Sequence, residues 1–307
     1  MIGRISYYIL IIPISLLPLR LIYLLTDFFY LLLLSILPYR KKLIKKNIRN
    51  SFKSLTEKDV NKLTRKFYKH LSDILAEGIK NLTISKKDLL KRIQVVNPAV
   101  MEDLYKKDKS VLLISGHFNN WEWIITSQNF LFDHCAVGIG MPLTNKFWDK
   151  KINARRARNG MKILNASNVD SFLGQSFEKP IATLILADQA PANSFKSYWM
   201  NFLNQETAIV FGPEQIANKY NQSCVFLRIN KIKRGYYQIQ LELITDNPHS
   251  LNWGELTEKH ARLLEEMIIK NPEQWIWSHN RWKREIPSDI ETLKKTQKSK
   301  FESKFRG

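Results

Sequence analysis

The pattern of apolar and polar positions changes sharply along the chain. Residues 5–37 are almost entirely apolar. A basic cluster follows this run, at Arg40, Lys41, Lys42, Lys45 and Lys46. A membrane-spanning helix needs about 20 apolar residues, and Arg20 divides the run into two slightly shorter pieces. Residues 1–46 are therefore predicted to form a membrane-anchoring helical segment with a basic flank, as one tilted span, a kinked span or a re-entrant hairpin.

The flanks of this apolar run indicate its type and orientation. A secretory signal peptide ends at a small-residue cleavage site, whereas this run continues to the basic cluster, so an anchor is favoured. A buried core hairpin is also disfavoured by the length of the run. The positive-inside rule places the rest of the chain on the cytoplasmic side of the membrane. The cluster would also be attracted to the anionic membrane surface.

The remaining chain alternates between helical and strand patterns. Apolar residues between Thr56 and Lys80 recur at three- to five-residue steps, which predicts an amphipathic helix capped by Thr56. Short apolar runs predict strands at residues 110–115, 135–140, 181–187, 223–229 and 237–244. Helix-length segments separate them at residues 120–130, 146–158 and 254–270.

This alternation predicts an α/β fold with a mixed, mostly parallel sheet flanked by helices. The last two strands are joined by a short polar turn, so they are predicted to form an antiparallel hairpin. The predicted catalytic domain covers residues 47–287. Residues 288–307 are rich in lysine and poor in apolar residues, which predicts a disordered basic tail.

The charge balance narrows the classes of partner. Lys and Arg number 48 against 28 Asp and Glu, a net charge of +20, which favours anionic partners. No helix-turn-helix, RNA-recognition or zinc-finger pattern is present, and much of the basic excess lies beside the apolar run or in the tail. An anionic membrane surface is therefore predicted rather than nucleic acid. Cys135 and Cys224 lack the spacing of a disulfide framework or thiolate zinc site, which indicates a reducing compartment.

A short polar motif follows the strand predicted at residues 110–115. It reads Gly116-His-Phe-Asn-Asn-Trp-Glu122. His117 falls at the carboxyl end of the strand, where open α/β sheets place their ligands. Asn119 or Asn120 is suited to cap the following helix, which puts Glu122 in its first turn.

His117 and Glu122 are the predicted catalytic residues. A carboxylate that accepts a hydrogen bond from one ring nitrogen fixes the histidine tautomer, and the other nitrogen can then take a proton from a hydroxyl. This predicts His117 as a general base and Glu122 as its orienting carboxylate. The spacing alone equally fits a glutamate that only favours the helix dipole.

Four stretches in order resemble one protein family. The motif at residues 116–122 looks like the H-x4-D/E motif of glycerolipid-type acyltransferases, in the form of the bacterial lipid A late acyltransferases. Residues 156–160 are similar to the R-x-R-x-G element of that family, and residues 187–189 to its P-D-Q-D loop. Residues 271–283 are similar to its closing block, N-P-E-Q-W/Y-x-W-x-H-R-R-W/F-K. The resemblance extends from the apolar N-terminus to about Lys283.

The resemblance implies an activity and a set of site residues. Such enzymes move a fatty acyl chain from an acyl carrier protein thioester to a hydroxyl of a lipid A precursor, at the inner face of the cytoplasmic membrane. The acceptor here would be such a precursor or a related glycolipid or aminolipid. Five residues are assigned to substrate binding on this basis: Asn120, Arg156, Arg158, Asp188 and Gln189. No metal or cofactor is expected, with an acyl-carrier-protein or acyl-CoA thioester as co-substrate.

Two alternative functions remain open at this level. The same dyad could activate water, which would make the chain a thioester or lipid hydrolase. A non-enzymatic basic protein that binds a membrane or nucleic acid is the second alternative. For the tryptophan-rich closing block, a structural role is favoured over a catalytic one.

Overall fold

The computed structural model describes residues 2–35 and 39–307. Its α-helices are α1 (Ile2–Ser6), α2 (Ile12–Leu16), α3 (Leu19–Ser35), α4 (Lys41–Ser51), α5 (Glu57–Lys80), α6 (Lys86–Arg92), α7 (Ala99–Lys106), α8 (Trp121–Leu131), α9 (Lys146–Ala157), α10 (Val169–Leu173), α11 (Gly212–Tyr220), α12 (Glu255–Lys270) and α13 (Ile290–Phe305). Its strands are β1 (Ile93–Val95), β2 (Val111–Ser115), β3 (Cys135–Gly140), β4 (Lys162–Asn165), β5 (Ile181–Leu186), β6 (Tyr198–Phe202), β7 (Gln205–Ile209), β8 (Ser223–Lys233) and β9 (Tyr236–Thr245). A π-helix at Tyr7–Ile11 joins α1 to α2, and a 3-10 turn at Pro272–Gln274 follows α12.

Seven strands form the main sheet, in the order β1-β9-β8-β2-β5-β3-β4. Neighbouring strands are parallel except β8 and β9, which form an antiparallel hairpin. This confirms the predicted α/β fold with its mixed, mostly parallel sheet. A separate antiparallel pair, β6 and β7, was not apparent in the hydrophobic pattern.

Strand β2 lies at the centre of the sheet and connects two hydrophobic clusters. Leu112 and Ile114 belong to the cluster on one side of the sheet, and Val111 and Leu113 to the cluster on the other side. Successive side chains of a strand point to opposite faces, so a continuous apolar run fills both layers. This burial fixes the carboxyl end of β2 in a rigid frame.

The N-terminal helices pack against the body of the protein. Leu19, Ile22 and Tyr23 of α3 are buried in the same cluster as the sheet residues. Other apolar side chains of this region are exposed, among them Ile9, Leu16, Leu24 and Phe28. Within residues 2–35 and 39–307, no helix has the length and apolar character required to cross a membrane. The end of the predicted apolar run, residues 36–37, lies outside the described residues.

The C-terminal segment corrects one expectation. Residues 288–307 were predicted to be a disordered basic tail, but residues 290–305 form helix α13. Phe301 of this helix is buried, and Arg306 donates hydrogen bonds to Asn218 and to two backbone carbonyl oxygens. Phe301 and the hydrogen bonds of Gln297 and Arg306 hold this segment, and these few residues are too weak a signal to detect among its lysines. The division at residues 46/47 and 287/288 stays a prediction.

Candidate active site

The backbone after β2 is shaped to bring two loops together. At Gly116, an added Cβ would lie 2.8 Å from the side chain of Leu264 and 3.2 Å from Cγ of Asp188. A glycine therefore permits the close approach of Asp188. Further along, Asn119 adopts a positive φ of 52°, which asparagine tolerates better than most residues. Its side-chain amide donates to the backbone oxygen of Ile229 and to Gln274, which fixes the turn.

His117 is held by Asp188. Nδ1 of the imidazole lies 2.6 Å from Oδ1 of Asp188, and the backbone N–H of His117 donates to Oδ2 over 2.8 Å. Both residues follow the ends of neighbouring parallel strands, since Ser115 of β2 pairs with Leu186 of β5. Each lies two residues beyond this pair. The Asp188 side chain is 1% exposed and that of His117 is 17% exposed. Asp188 is therefore buried, whereas the imidazole is partly accessible from the surface.

The structure does not pair His117 with Glu122 as predicted. The Glu122 carboxylate accepts hydrogen bonds from Arg155 and from Arg156 of α9, each with a nearest N–O distance of 2.5 Å. These two arginines account for both carboxylate oxygens. The carboxylate that orients His117 in the structure is Asp188, a residue that the sequence assigned to substrate binding. The catalytic role predicted for Glu122 remains a prediction, but its orienting contact is corrected.

The environment keeps both carboxylates ionised. Burial raises the pKa of Asp188, but the charge of His117 and the hydrogen bonds from His117 and Trp275 outweigh burial and lower this pKa to about 2. Burial also raises the pKa of Glu122, but Arg155 and Arg156 lower it to about 2. Asp188 is therefore an acceptor at neutral pH, as an orienting partner of His117 must be.

Trp275 is a site residue whose position the sequence did not reveal. Its indole N–H donates to Oδ2 of Asp188 over 2.8 Å. The same residue forms a β-bridge with Phe118, next to His117. Its occurrence in the closing block, residues 271–283, was the available signal. The role favoured for that block was structural, and the structure adds a direct polar contact with the site.

Asn120 is directed away from the open site. Its Oδ1 caps α8 by accepting from the backbone N–H of Trp123 over 3.0 Å, and its amide donates to Oε2 of Glu77 over 2.5 Å. Glu77 is fully buried and also accepts from the hydroxyls of Tyr23 and Tyr237. Burial raises the pKa of Glu77, although these three donors oppose the increase. The predicted substrate contact of Asn120 is replaced by a helix cap tied to this buried carboxyl.

The two predicted acceptor-binding arginines have internal partners. Arg156 is committed to Glu122, and Arg158 donates to the backbone oxygens of Leu82 and Ile84 over 2.8 Å each. Burial and the neighbouring positive charge of Arg155 lower the pKa of Arg158. Both arginines therefore fasten α9 to the body of the protein. Arg155, which was not singled out from the sequence, makes the more buried of the two Glu122 contacts.

Gln189 lies at the open side of the imidazole. Its Nε2 is 3.2 Å from Nε2 of His117, and its side chain is exposed. If Nδ1–H of His117 donates to Asp188, Nε2 carries the lone pair and accepts from this amide. Gln189 thus covers the ring nitrogen that Asp188 leaves free.

An apolar cavity of about 380 Å³ adjoins the histidine. Trp121 lines this cavity, and its ring meets the edge of the His117 ring with the centroids 5.0 Å apart. The other lining residues include Tyr7, Ile11, Leu71, Ile74, Leu75, Gly78, Ile79, Leu82, Trp148, Ile152 and Ile276. The N-terminal segment and α5 together enclose a space suited to a hydrocarbon chain.

Potential metal ligands are not grouped around this site. Among residues 2–35 and 39–307, no cluster of three or more histidine, cysteine or acidic side chains has an arrangement that could hold a metal ion. The groups within reach of the His117 ring are the carboxylate of Asp188, the amide of Gln189 and the ring of Trp121. Such groups are equipped for proton transfer and for hydrogen bonding.

Comparison with known proteins identifies the family. The family model described as bacterial lipid A biosynthesis acyltransferase matches residues 3–284, which includes the His117 loop, α9, the Asp188 loop and the closing block. No curated protein matches the chain. Because the family model covers most of the sequence, the chain belongs to the bacterial lipid A biosynthesis acyltransferase family.

Proposed function

We propose that the protein transfers a fatty acyl chain from an acyl carrier protein thioester to a hydroxyl of a lipid A precursor, or of a related glycolipid or aminolipid. The observation that carries this proposal is the position of His117. Its Nδ1 is fixed by Asp188, and its ring borders an apolar cavity through Trp121. A base for a hydroxyl and a space for a fatty chain therefore meet at one residue.

The base acts through Nε2 of His117. The acceptor hydroxyl displaces the amide of Gln189, gives its proton to Nε2 and attacks the thioester carbonyl carbon. The ionised Asp188 stabilises the imidazolium that results. Collapse of the tetrahedral intermediate expels the thiolate, which takes the proton back from Nε2 and leaves as the thiol. The products are an ester and the free thiol of the carrier.

The start of α8 supports the charge that develops in this reaction. The first backbone N–H groups of a helix have no acceptor within the helix, and its dipole places partial positive charge at this end. His117 lies three residues before Asn120, whose side chain caps α8 and fixes the direction of this end. Amides of this turn are suited to stabilise the oxyanion of the tetrahedral intermediate.

The apolar surfaces suit the lipid nature of both substrates. The cavity of about 380 Å³ would hold the acyl chain of the donor thioester. Exposed residues on the outer side of the N-terminal helices, such as Leu16, Leu24 and Phe28, would insert among membrane lipids. The basic cluster at residues 40–46 would hold this side against anionic lipids at the inner face of the cytoplasmic membrane.

Replacement of His117 by Ala tests the proposal. The variant should lose acyl transfer by roughly 10²–10⁴-fold, the range for loss of a general base, and should still bind membranes. Transfer is measured by mass spectrometry of the acylated lipid, with the free thiol as a second product. Release of free fatty acid at the same rate with or without acceptor would instead identify a hydrolase. Undiminished transfer by the variant would remove His117 from the reaction.

A further inference from the structure

A second, basic cavity lies near the active site. It has a volume of about 1000 Å³ and runs between α5 and the turn at Pro272–Gln274. We call it the α5 groove. Arg156 and Arg158 were assigned to substrate binding but are committed to internal partners, so an anionic group of a substrate would need other cations. The α5 groove contains such cations.

Six cationic side chains line the α5 groove: Lys58, Lys62, Arg65, Lys66, Lys69 and Lys231. Lys69 and Lys231 each lie 3.1 Å from a carboxylate oxygen of Asp73. The other four are exposed on α5, and no carboxylate lies within ion-pair distance of them in the described part of the chain. Like charges three and four residues apart destabilise a helix. An anion bound to this face of α5 would therefore stabilise the helix.

Further polar groups accompany these cations in the groove. His70 is only 7% exposed, and both of its ring nitrogens lack a hydrogen-bond partner among the described residues. Burial and the nearby Lys231 lower the pKa of His70 to about 3, so the ring is neutral with one donor and one acceptor. Asn61, Gln274 and the carboxylate of Glu273 also line the groove. Such groups suit sugar hydroxyls and amides as well as anions.

The α5 groove leads to the turn at residues 116–120, which carries His117. The backbone oxygen of Gln274 accepts from the backbone N–H of Asn119 over 3.0 Å, and the two side chains are hydrogen-bonded over 2.8 Å. Asn119 is two residues from His117, and Trp275, next to Gln274, contacts Asp188. A ligand bound beside Gln274 thus reaches the neighbourhood of the base. The apolar cavity proposed for the acyl chain is lined by different residues, among them Trp121.

We propose that the α5 groove binds the phosphate-bearing head group of the acceptor lipid and presents its hydroxyl to His117. The proposal rests on the acyl-transfer function proposed above and assigns a binding site to one of its two substrates. Lys62, Arg65 and Lys66 contact the phosphates, and Asn61, Gln274 and Glu273 contact hydroxyl or amide groups of the head.

The shape and composition of the groove favour a lipid head group over the acidic surface of a carrier protein. A volume of about 1000 Å³ is at the upper end for pockets that enclose a small molecule. The carboxylate of Glu273 and the amides of Asn61 and Gln274 within it can exchange hydrogen bonds with sugar hydroxyls of a head group. Tyr30 of α3 also lines the groove, which puts one wall on a helix with exposed apolar side chains.

The test compares two triple variants of the full chain. In the groove variant, Lys62→Gln, Arg65→Gln and Lys66→Gln remove three exposed charges that have no ion-pair partner among the described residues. In the control variant, Lys87→Gln, Lys91→Gln and Lys107→Gln remove the same charge from exposed positions outside the groove. Affinity is measured calorimetrically in neutral detergent micelles. The probes are a bisphosphorylated diglucosamine lipid and the same lipid without its phosphates.

The groove variant should bind the phosphorylated lipid roughly tenfold more weakly than the wild type, because it loses three partly screened ion pairs with the phosphates. The control variant should match the wild type, and added salt should weaken the wild type most. All three proteins should bind the dephosphorylated lipid equally weakly. The melting temperature of the groove variant should not fall, because like charges on α5 are removed.

Other results would overturn the proposal. Equal affinity of the groove variant and the wild type for the phosphorylated lipid would exclude the head group from the groove. The proposal also fails if only the KM for the acyl carrier protein thioester rises, because the groove would then dock the carrier. Binding is measured without a thioester. A protein that binds the lipid through the groove but transfers no acyl chain would therefore disprove the reaction and leave the groove assignment standing.

Discussion

Replacement of Asp188 by Asn is the sharpest test of the site geometry. In the wild type, Oδ2 of Asp188 accepts from two N–H groups, the backbone of His117 and the indole of Trp275. Oδ1 faces Nδ1 of the imidazole. The amide oxygen of an asparagine must face the two N–H donors, so its NH₂ group faces Nδ1. The imidazole then takes the tautomer with its proton on Nε2, which cannot accept the proton of a hydroxyl.

The structure gives magnitudes for stability and rate. His117 and Trp275 stabilise the charged form of Asp188 and lower its pKa to about 2, and a hydrogen bond to a charged group contributes about 2 kcal/mol. The Asp188→Asn variant should lose a similar amount of unfolding free energy and remain folded. Its kcat should fall by roughly 10³–10⁴-fold, the cost of a wrong histidine tautomer in a comparable triad. KM for either substrate should change little.

The assay follows the formation of acylated lipid by mass spectrometry, with the full chain in mixed micelles. Unfolding by urea, monitored by circular dichroism, shows that the variant is folded under assay conditions. Replacement of Trp275 by Phe is the matched control. It removes one donor to Oδ2 but leaves Oδ1 on the imidazole, so kcat should fall much less than in Asp188→Asn.

One result would refute this reasoning. If Asp188→Asn retains kcat within a few-fold of the wild type, Asp188 does not set the tautomer of His117. If Glu122→Gln abolishes turnover in the same experiment without loss of folded protein, Glu122 would be the carboxylate that acts with His117 during the reaction, as predicted from the sequence. Rescue of Asp188→Asn at high pH is not expected, since the defect is the tautomer and not a titration.

Further predictions concern stability and chain length. Glu122→Gln leaves Arg155 and Arg156 without their buried anion and should lower the unfolding free energy by about 3 kcal/mol in urea titrations; an unchanged midpoint would contradict the ion-pair geometry. Because the pKa values of Glu122 and Asp188 are both lowered to about 2, their contribution to stability is complete above about pH 4.5 and is lost as the pH falls towards 2. Acid titration by circular dichroism should show this loss, and the Glu122→Gln variant should show a shallower one. Gly78 lines the apolar cavity, and a Cβ added there meets no atom within 4 Å. The Gly78→Leu side chain should therefore fill part of the cavity, so donors with shorter acyl chains should be preferred in competition assays. An unaltered preference would show that the acyl chain binds elsewhere.

The sequence predicted the frame of the site better than its internal contacts. The apolar run at β2 and the strand before Asp188 were recognisable because buried parallel strands read as continuous apolar segments. Their carboxyl ends lie at one edge of the sheet because the two strands are parallel neighbours. The contact between His117 and Asp188 depends on the register of β2 with β5, 71 residues apart in sequence. Sequence spacing favoured the nearer carboxylate, Glu122.

The partners of the polar residues were also hidden by distance in sequence. Glu122 accepts hydrogen bonds from arginines more than 30 residues away in the sequence. These arginines lie in a basic stretch, and nothing in the sequence distinguishes its buried cations from its exposed ones. The Glu77 carboxyl gave no signal because an acidic residue in an amphipathic helix is normally exposed. Helix α13 was missed because Phe301 is a single buried apolar residue in a lysine-rich segment.

The buried Glu77 carboxyl has a practical consequence for work with this protein. Its donors are Tyr23 of α3, Asn120, which caps α8, and Tyr237 of β9, so Tyr23 in the apolar N-terminal region completes the hydrogen bonding behind the turn that carries His117. Truncation of residues 1–46 would remove that donor and open the core around Ile22. Polar replacements at the outward-facing Leu24 and Phe28 would reduce the exposed apolar surface of this region and leave the internal network intact.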